Sequence, residues 1–75
     1  MSDTCKWIFD GTPPSDAPGW YAVLICYDAE EGVFPSGAEW DGEKWRKKAV
    51  IGFLGERRQT QKEAVNLAYE HDPDA

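Results

Sequence analysis

The sequence predicts a small α+β domain, in which an antiparallel sheet of three main strands carries one C-terminal helix on one face. Three stretches of strand-like composition lie between residues 20 and 54, and one stretch with helical periodicity follows them. The dipeptide Asp41-Gly42 between two of the stretches is typical of a tight hairpin turn. A chain of 75 residues has room for one small core, so we expect a single domain over residues 1–75.

The N-terminal part of the chain predicts a short extended segment followed by a loop. Trp7 and Phe9 alternate with Lys6 and Ile8, a pattern that suits an additional edge strand over residues 6–9. In residues 10–19, three prolines remove backbone donors and two glycines relax the chain. This composition predicts a loop within the domain, because the segment before it is too short to be a domain of its own.

The strongest strand signal is the run "WYAVLICY" at residues 20–27, where eight successive side chains are apolar or aromatic. Both faces of such a strand must be at least partly covered, which predicts that it lies at the centre of the sheet. The next stretch, residues 33–40, contains Pro35 and Gly37 and therefore suits an edge strand.

The stretch "EWDGEKW" predicts a hairpin that leads into a third strand over residues 44–54. A two-residue turn at Asp41-Gly42 would place Trp40 and Trp45 diagonally, and a four-residue turn would pair them directly. In either register the two rings share one face. We predict that they pack in the core and are not displayed to a partner. Lys47 breaks the apolar pattern, which a snorkelling stem or a bulge near this residue would explain. The same alternation assigns three further side chains to this face: Ala49, Ile51 and Phe53.

The final stretch predicts a helix over residues 61–71. Thr60 and Glu63 have the spacing of a capping box, in which each side chain accepts from the backbone N–H of the other residue. Pro73 ends the helix, and residues 72–75 form an acidic tail that we expect to be flexible. At about 100° per residue, one buried stripe collects Ala64, Val65, Leu67, Ala68 and His71.

No motif in the sequence indicates catalysis, so we expect a protein that is not an enzyme and has no catalytic residue, cofactor or metal. His71 is the only histidine, and we expect it to pack at the helix end. Cys26 lies in the apolar run and suits a buried thiol that behaves as a small hydrophobic group. Two cysteines do not make a zinc site, and whether Cys5 and Cys26 form a disulfide stays open.

Charge divides the chain into three parts and supports two binding hypotheses. Residues 1–43 hold nine acids and one base, residues 44–62 hold seven bases and one acid, and residues 63–75 hold four acids. The preferred hypothesis is a protein partner with a basic surface. Its candidate contacts are Trp20, Glu30, Glu31, Glu39 and Asp41. The alternative is a nucleic acid bound through the basic segment 44–62, with candidate contacts Lys44, Arg46, Lys48, Arg57 and Arg58. The first three of these would form a basic stripe along one face of the third strand, and the two arginines lie near the start of the helix. A third possibility is a component of a larger assembly, so the expected state is a monomer or a small homo-oligomer.

Several short stretches together resemble small uncharacterised proteins encoded by bacteriophages and prophages. They are a tryptophan near the start, a proline-containing loop, "VLICYD", "EWDGEKW" and "TQKEAVNLAYEHDPDA". The resemblance implies a phage accessory protein without catalytic residues, which interferes with or adapts a host protein, for example in a nucleic-acid-handling or defence system. The first residues contain no apolar run long enough for a secretion signal or a membrane span. We therefore expect the protein in the cytoplasm, that of the bacterial host in the phage setting, and not in a membrane.

Overall fold

The computed structural model describes residues 7–71, which form three strands and one helix. The elements are β1 (Gly19–Ile25), β2 (Phe34–Trp40), β3 (Val50–Arg58) and α1 (Gln61–Glu70). The sheet has the order β2-β1-β3, and both pairs of neighbours are antiparallel. The α+β prediction and the central position of the first strand are therefore confirmed. The predicted tail 72–75, Cys5, and Lys6 of the predicted edge segment lie outside the described residues.

The central strand β1 is covered on both of its faces. All side chains from Tyr21 to Ile25 are buried. Because side chains alternate along a strand, Ala22 and Leu24 point to one face, and the three buried residues around them point to the other. Two separate hydrophobic clusters result, one on each face of the sheet.

The helix covers the first of these faces, which we call the helix face. Leu67 and Ala68 pack there with Ala22, Leu24 and Leu54. The approach is close at Gly37 of β2, where an added Cβ would lie only 3.0 Å from a methyl group of Val65. Three side chains of the predicted stripe are buried: Ala64, Leu67 and Ala68. The other two, Val65 and His71, are half-buried.

Both ends of the helix are tied down by specific hydrogen bonds. The Thr60 side chain accepts from the N–H of Glu63 at 3.2 Å, as the capping box predicts. The Glu63 carboxylate accepts from the N–H of Gln59 at 3.2 Å, one residue before the predicted partner. At the other end, the indole N–H of Trp7 donates to the carbonyl of His71 at 2.9 Å.

The connection between β2 and β3 covers the second face, which we call the tryptophan face. β2 ends beside Gly19 and β3 begins beside Ile25, so residues 41–49 run back from one end of the sheet to the other. This connection carries Trp45, whose ring centroid lies 5.2 Å from that of Trp40, 5.9 Å from Tyr21 and 5.7 Å from Phe53. The two tryptophans pack against each other on the core face as predicted, and Trp40 is buried, whereas Trp45 is only half-buried.

The predicted third strand at residues 44–54 is wrong in its bounds. Trp45 forms only an isolated bridge with Trp40, closed by a four-residue loop, and the chain then turns at residues 48 and 49. Ala49 has a φ of 67°, a left-handed conformation that ends the extended segment. β3 starts after this turn and pairs with β1 instead of β2, which satisfies the second row of backbone groups on the central strand.

The tryptophan face was also predicted to continue through Ile51, and this is wrong. Leu24 pairs with Gly52 while Ile25 pairs with Val50, so Ile51 is the extra residue of a bulge, and its side chain is 39% exposed. The predicted edge segment is reduced to one residue. Ile8 exchanges two backbone hydrogen bonds with Phe53, at 2.8 and 3.0 Å, and forms an isolated bridge. Cys26, predicted as buried, is half-buried at the end of β1.

The proline-rich loop holds the edge of the tryptophan face in place. The indole N–H of Trp40 donates to the carbonyl of Pro14 at 3.1 Å, and the hydroxyl of Tyr21 donates to the carbonyl of Ala17 at 2.7 Å. Burial raises the pKa of this tyrosine, against an opposing effect of the Arg57 charge. The loop also reaches Gly42, where an added Cβ would lie 2.8 Å from the carbonyl oxygen of Ser15.

We expect Trp45→Ala to lower the free energy of unfolding by about 3 kcal/mol, because it removes the largest side chain that the connection packs against the tryptophan face. Urea denaturation followed by circular dichroism measures the change. Trp20→Ala, at a half-buried tryptophan outside both clusters, should cost clearly less. A wild-type midpoint for Trp45→Ala would contradict the assignment.

We expect Gly42→Ala to lower the free energy of unfolding by about 2 kcal/mol, because alanine resists the φ of 100° and its Cβ would meet Ser15. Gly11→Ala is the matched control, because Gly11 has a φ of 102° with open space around its Cβ position. The control should cost less, and thermal melting of both variants compares them. Equal losses would show that the contact with Ser15 has no role.

Candidate interaction surface

The structure does not bring the acidic candidates together. Glu30 and Glu31 lie in the turn between β1 and β2, where Asp28 accepts backbone N–H groups at 2.9 and 3.1 Å and fixes the turn. Glu39 lies opposite Trp20, at the other end of this hairpin. The register separates the two ends by five residue steps, or about 17 Å at the usual rise of a strand.

The fourth acidic candidate, Asp41, stabilises the hairpin loop. Its carboxylate accepts the backbone N–H of Glu43 at 2.8 Å and that of Lys44 at 2.9 Å. These hydrogen bonds favour the ionised form, and the one from Lys44, followed by the one from Glu43, lowers the pKa of Asp41 below its ordinary value of 3.8. The chain itself therefore engages the carboxylate that the sequence suggested as a partner contact.

The basic candidates do not form the predicted stripe either. Lys44, Arg46 and Lys48 were expected on one face of a strand, but they lie in the connection between β2 and β3, and this prediction is wrong. Arg57 and Arg58 are opposite Tyr21 and Trp20, which point to different faces of the sheet. The Arg57 guanidinium donates to the carbonyl of Pro18 at 3.2 Å, beside the tryptophan face.

Four candidates from the two hypotheses meet in one line across the helix face, which we call the Trp20 row: Arg46, Glu39, Trp20 and Arg58. Glu39 and Arg58 are the cross-strand partners of Trp20 on either side. The N–H of Arg46 donates to the carbonyl of Glu39 at 2.9 Å, and their side chains form an exposed ion pair at 3.9 Å. Directly opposite residues point to the same side of a sheet, so the four side chains are neighbours.

Trp20 stands in the middle of this row and has no place in the core. It is half-buried and belongs to neither hydrophobic cluster. No acceptor within residues 7–71 receives its indole N–H, whereas the indoles of Trp7 and Trp40 both donate to carbonyls. A large ring with a free donor and a partly wet surface is a common anchor in protein interfaces.

Two open depressions border the Trp20 row. One, of about 280 Å³, lies against the start of α1 and is lined by Trp20, Gly37, Glu39, Arg46, Lys47 and Gln61, among others. The second, of about 590 Å³, lies between the end of β3 and α1, and its lining includes Arg58, Glu63, Asn66 and Leu67. The row therefore separates two hollows in which side chains of a partner could insert on either side of Trp20.

The row itself carries two arginines and one glutamate, whereas the described chain as a whole is acidic. All eleven Asp and Glu side chains within residues 7–71 are exposed, and in that part of the chain only Glu39 and Glu56 form salt bridges. Arg46 and Arg58 take part in those same two pairs, at 3.9 and 3.0 Å. Nine carboxylates therefore have no basic partner among the described residues, and they give this part of the chain a net negative charge.

Within the described part of the chain, no group of three His, Cys, Asp or Glu side chains is arranged to hold a metal ion. The helix at Gln61–Glu70 is too short and too polar to cross a membrane, and residues 7–71 hold no other. No protein family, no curated protein and no solved structure matches this chain. The resemblance to phage-encoded proteins therefore stays a prediction.

The position of the Trp20 row could not be read from the sequence, because its members are far apart along the chain. The sequence analysis assigned Trp20 and Glu39 to the protein-partner hypothesis, and Arg46 and Arg58 to the nucleic-acid hypothesis. Only the register of β1 with β2 and β3 places Arg58 and Glu39 on either side of Trp20. The sequence does contain one usable signal. Trp20 is the first residue of the apolar run, and a side chain at the start of a strand lies at the edge of the core.

We expect the lowered pKa of Asp41 to make the hairpin loop sensitive to acid. A depressed pKa in the folded state contributes stability that is present above pH 3.8 and is lost as the pH falls through the lower folded value. Asp41→Asn should therefore destabilise the protein at pH 7 and lose less stability than the wild type between pH 5 and about 2. Thermal melting across this pH range tests the prediction, and Asp10→Asn at an exposed position is the control. Equal pH profiles of stability for Asp41→Asn and the wild type would contradict the prediction.

Proposed function

We propose that this chain is a binding module without catalytic activity, which recognises a basic surface on another protein and uses Trp20 as its anchor. The observation that carries the proposal is the Trp20 row, because it places a large, partly exposed ring between charged neighbours and outside the core. In protein interfaces, tryptophan and arginine contribute more binding energy than other residue types.

The net charge of the described chain supports a basic partner. Its nine unpaired carboxylates outnumber its unpaired bases, so the chain as a whole attracts a positively charged surface, and salt weakens this attraction. Arg46 and Arg58 are already neutralised in part by Glu39 and Glu56. Partner contacts to the row thus consist of the Trp20 ring, its N–H group and the carboxylate of Glu39, which can exchange its present ion pair with Arg46 for a new one.

A nucleic acid is the weaker candidate for this site. Polyanion binding requires several bases on one continuous face, where each contact releases counterions from the phosphates. Here Arg57 and Arg58 point to opposite faces of the sheet, and the carboxylate of Glu39 lies between the two arginines of the Trp20 row. In the phage setting that the sequence resemblance implies, the module would act as an inhibitor or adaptor of a host protein that itself handles nucleic acid.

The test is affinity capture from a bacterial lysate treated with nuclease, with the 75-residue chain as bait. We expect a specific protein to be retained by the wild type and to bind the purified Trp20→Ala variant at least about 30-fold more weakly, the loss typical of an interface anchor. Tyr69→Ala is the control, because it removes an exposed aromatic side chain from the helix and leaves the row intact. Circular dichroism confirms that each variant is folded.

A second titration separates the two candidate partners. The chain is titrated with short single- and double-stranded oligonucleotides at low salt, and the intrinsic fluorescence of tryptophan is recorded. We expect no binding. Micromolar binding that is lost in the variant Arg46→Ser/Arg58→Ser, together with capture that depends on intact nucleic acid, would replace the protein partner with a nucleic acid.

A further inference from the structure

The connection between β2 and β3 borders a third open hollow, separate from the two beside the Trp20 row. It has a volume of about 340 Å³, and five consecutive residues line it: Lys44, Trp45, Arg46, Lys47 and Lys48. Four of the five are basic and none is acidic, although the chain as a whole has a net charge of −6. We call this feature the lysine hollow.

Two of the basic side chains around the lysine hollow have no acidic partner. Arg46 has a carboxylate at 3.9 Å, and the backbone N–H of Lys44 donates to the carboxylate of Asp41 at 2.9 Å. Neither salt bridge within residues 7–71 involves Lys47 or Lys48. Because like charges that line one hollow repel each other, an anion in the hollow would be stabilised by this uncompensated pair of lysines.

The lysine hollow also presents an aromatic ring. Trp45 is half-buried, and the part of its surface that does not contact the core lines the hollow. No acceptor within residues 7–71 receives its indole N–H, in contrast to the indoles of Trp7 and Trp40. Its contacts with the core rings already hold Trp45 in place, so a ligand that binds against it has no large side chain to order there.

We propose that the lysine hollow binds a nucleoside monophosphate. A phosphate monoester carries a charge of about −1.5 to −2 at pH 7 and three acceptor oxygens, which match several ammonium donors in one place. The nucleobase lies against the free surface of Trp45, since nucleobases stack well on aromatic side chains. This site is independent of the protein partner proposed for the Trp20 row.

The size of the hollow favours a single nucleotide over a nucleic-acid strand. Small-molecule sites begin at about 300 Å³, and the lysine hollow has about 340 Å³. A strand would extend beyond the hollow and would bring further phosphates against a chain of net charge −6. A mononucleotide places its one phosphate group among the basic side chains.

Titration with adenosine monophosphate tests the site, followed in nitrogen–proton NMR spectra of the 75-residue chain. We expect saturable shifts of the Trp45 indole signal and of the backbone signals of residues 44–48. Lys47→Gln/Lys48→Gln should raise the Kd at least about 10-fold, because two charge-assisted contacts are lost. Circular dichroism confirms that the variant is folded. The absence of saturable shifts in the wild type at millimolar ligand overturns the proposal.

Two control variants locate the ligand. Arg58→Gln/Lys62→Gln removes the same charge from residues outside the hollow and should keep the wild-type Kd. Trp20→Ala should also keep it, because Trp20 lines the neighbouring hollow, so this variant separates nucleotide binding from the proposed protein interface. An increase of the Kd in either control that equals the increase in the lysine variant overturns the proposal.

Titrations with partial ligands identify the group that is recognised. Inorganic phosphate should bind more weakly than adenosine monophosphate because it lacks the nucleobase, and adenosine should bind more weakly because it lacks the charge. An oligonucleotide without a terminal phosphate should cause no saturable shift, because its phosphodiesters carry a single charge each and lie within a strand. Equal Kd values for inorganic phosphate and adenosine monophosphate, or saturable binding of the oligonucleotide at the same signals, overturn the assignment to a nucleotide.

Discussion

The contact of Trp45 with Trp40, Tyr21 and Phe53 is the constraint on which the rest of the structure depends. A sheet has two faces, and the only helix within residues 7–71 covers one of them. The other face must therefore be covered by a connection between strands. Trp45 lets a nine-residue connection do this, because one indole supplies as much apolar surface as several aliphatic side chains. With both faces covered, β1 can be apolar along nearly its whole length and can bind a strand on each edge.

The elements that depend on local chemistry could be predicted from the sequence. The apolar run at β1, the cap at Thr60 and the meeting of the two tryptophans follow from nearest-neighbour preferences, and the structure has all three. The edge on which β3 pairs could not be predicted, because alternation specifies which face a side chain occupies and contains no information about the neighbouring strand. The turn at Ala49 was also missed, because alanine gives no signal for a positive φ. The Trp20 row depends on that same pairing and was hidden for the same reason.

The two ends of the sheet differ in chemistry, although one strand joins them. At the Gly19 end, charged side chains surround a single half-buried tryptophan. At the Ile25 end, two exposed rings lie beside an acidic turn. The distance of about 17 Å along β1 keeps the two surfaces apart.

The hydrogen bond between the Trp7 indole and the His71 carbonyl places the two extremities of the described chain side by side, although 64 positions separate them in the sequence. The proximity of residues 7 and 71 suits circular permutation of this part of the chain. A new opening at the turn between β1 and β2 would break no strand pair, and a short peptide could join residue 71 to residue 7. The same geometry would let residues 7–71 be inserted into an exposed loop of another protein, because they would enter and leave their host at nearly one point.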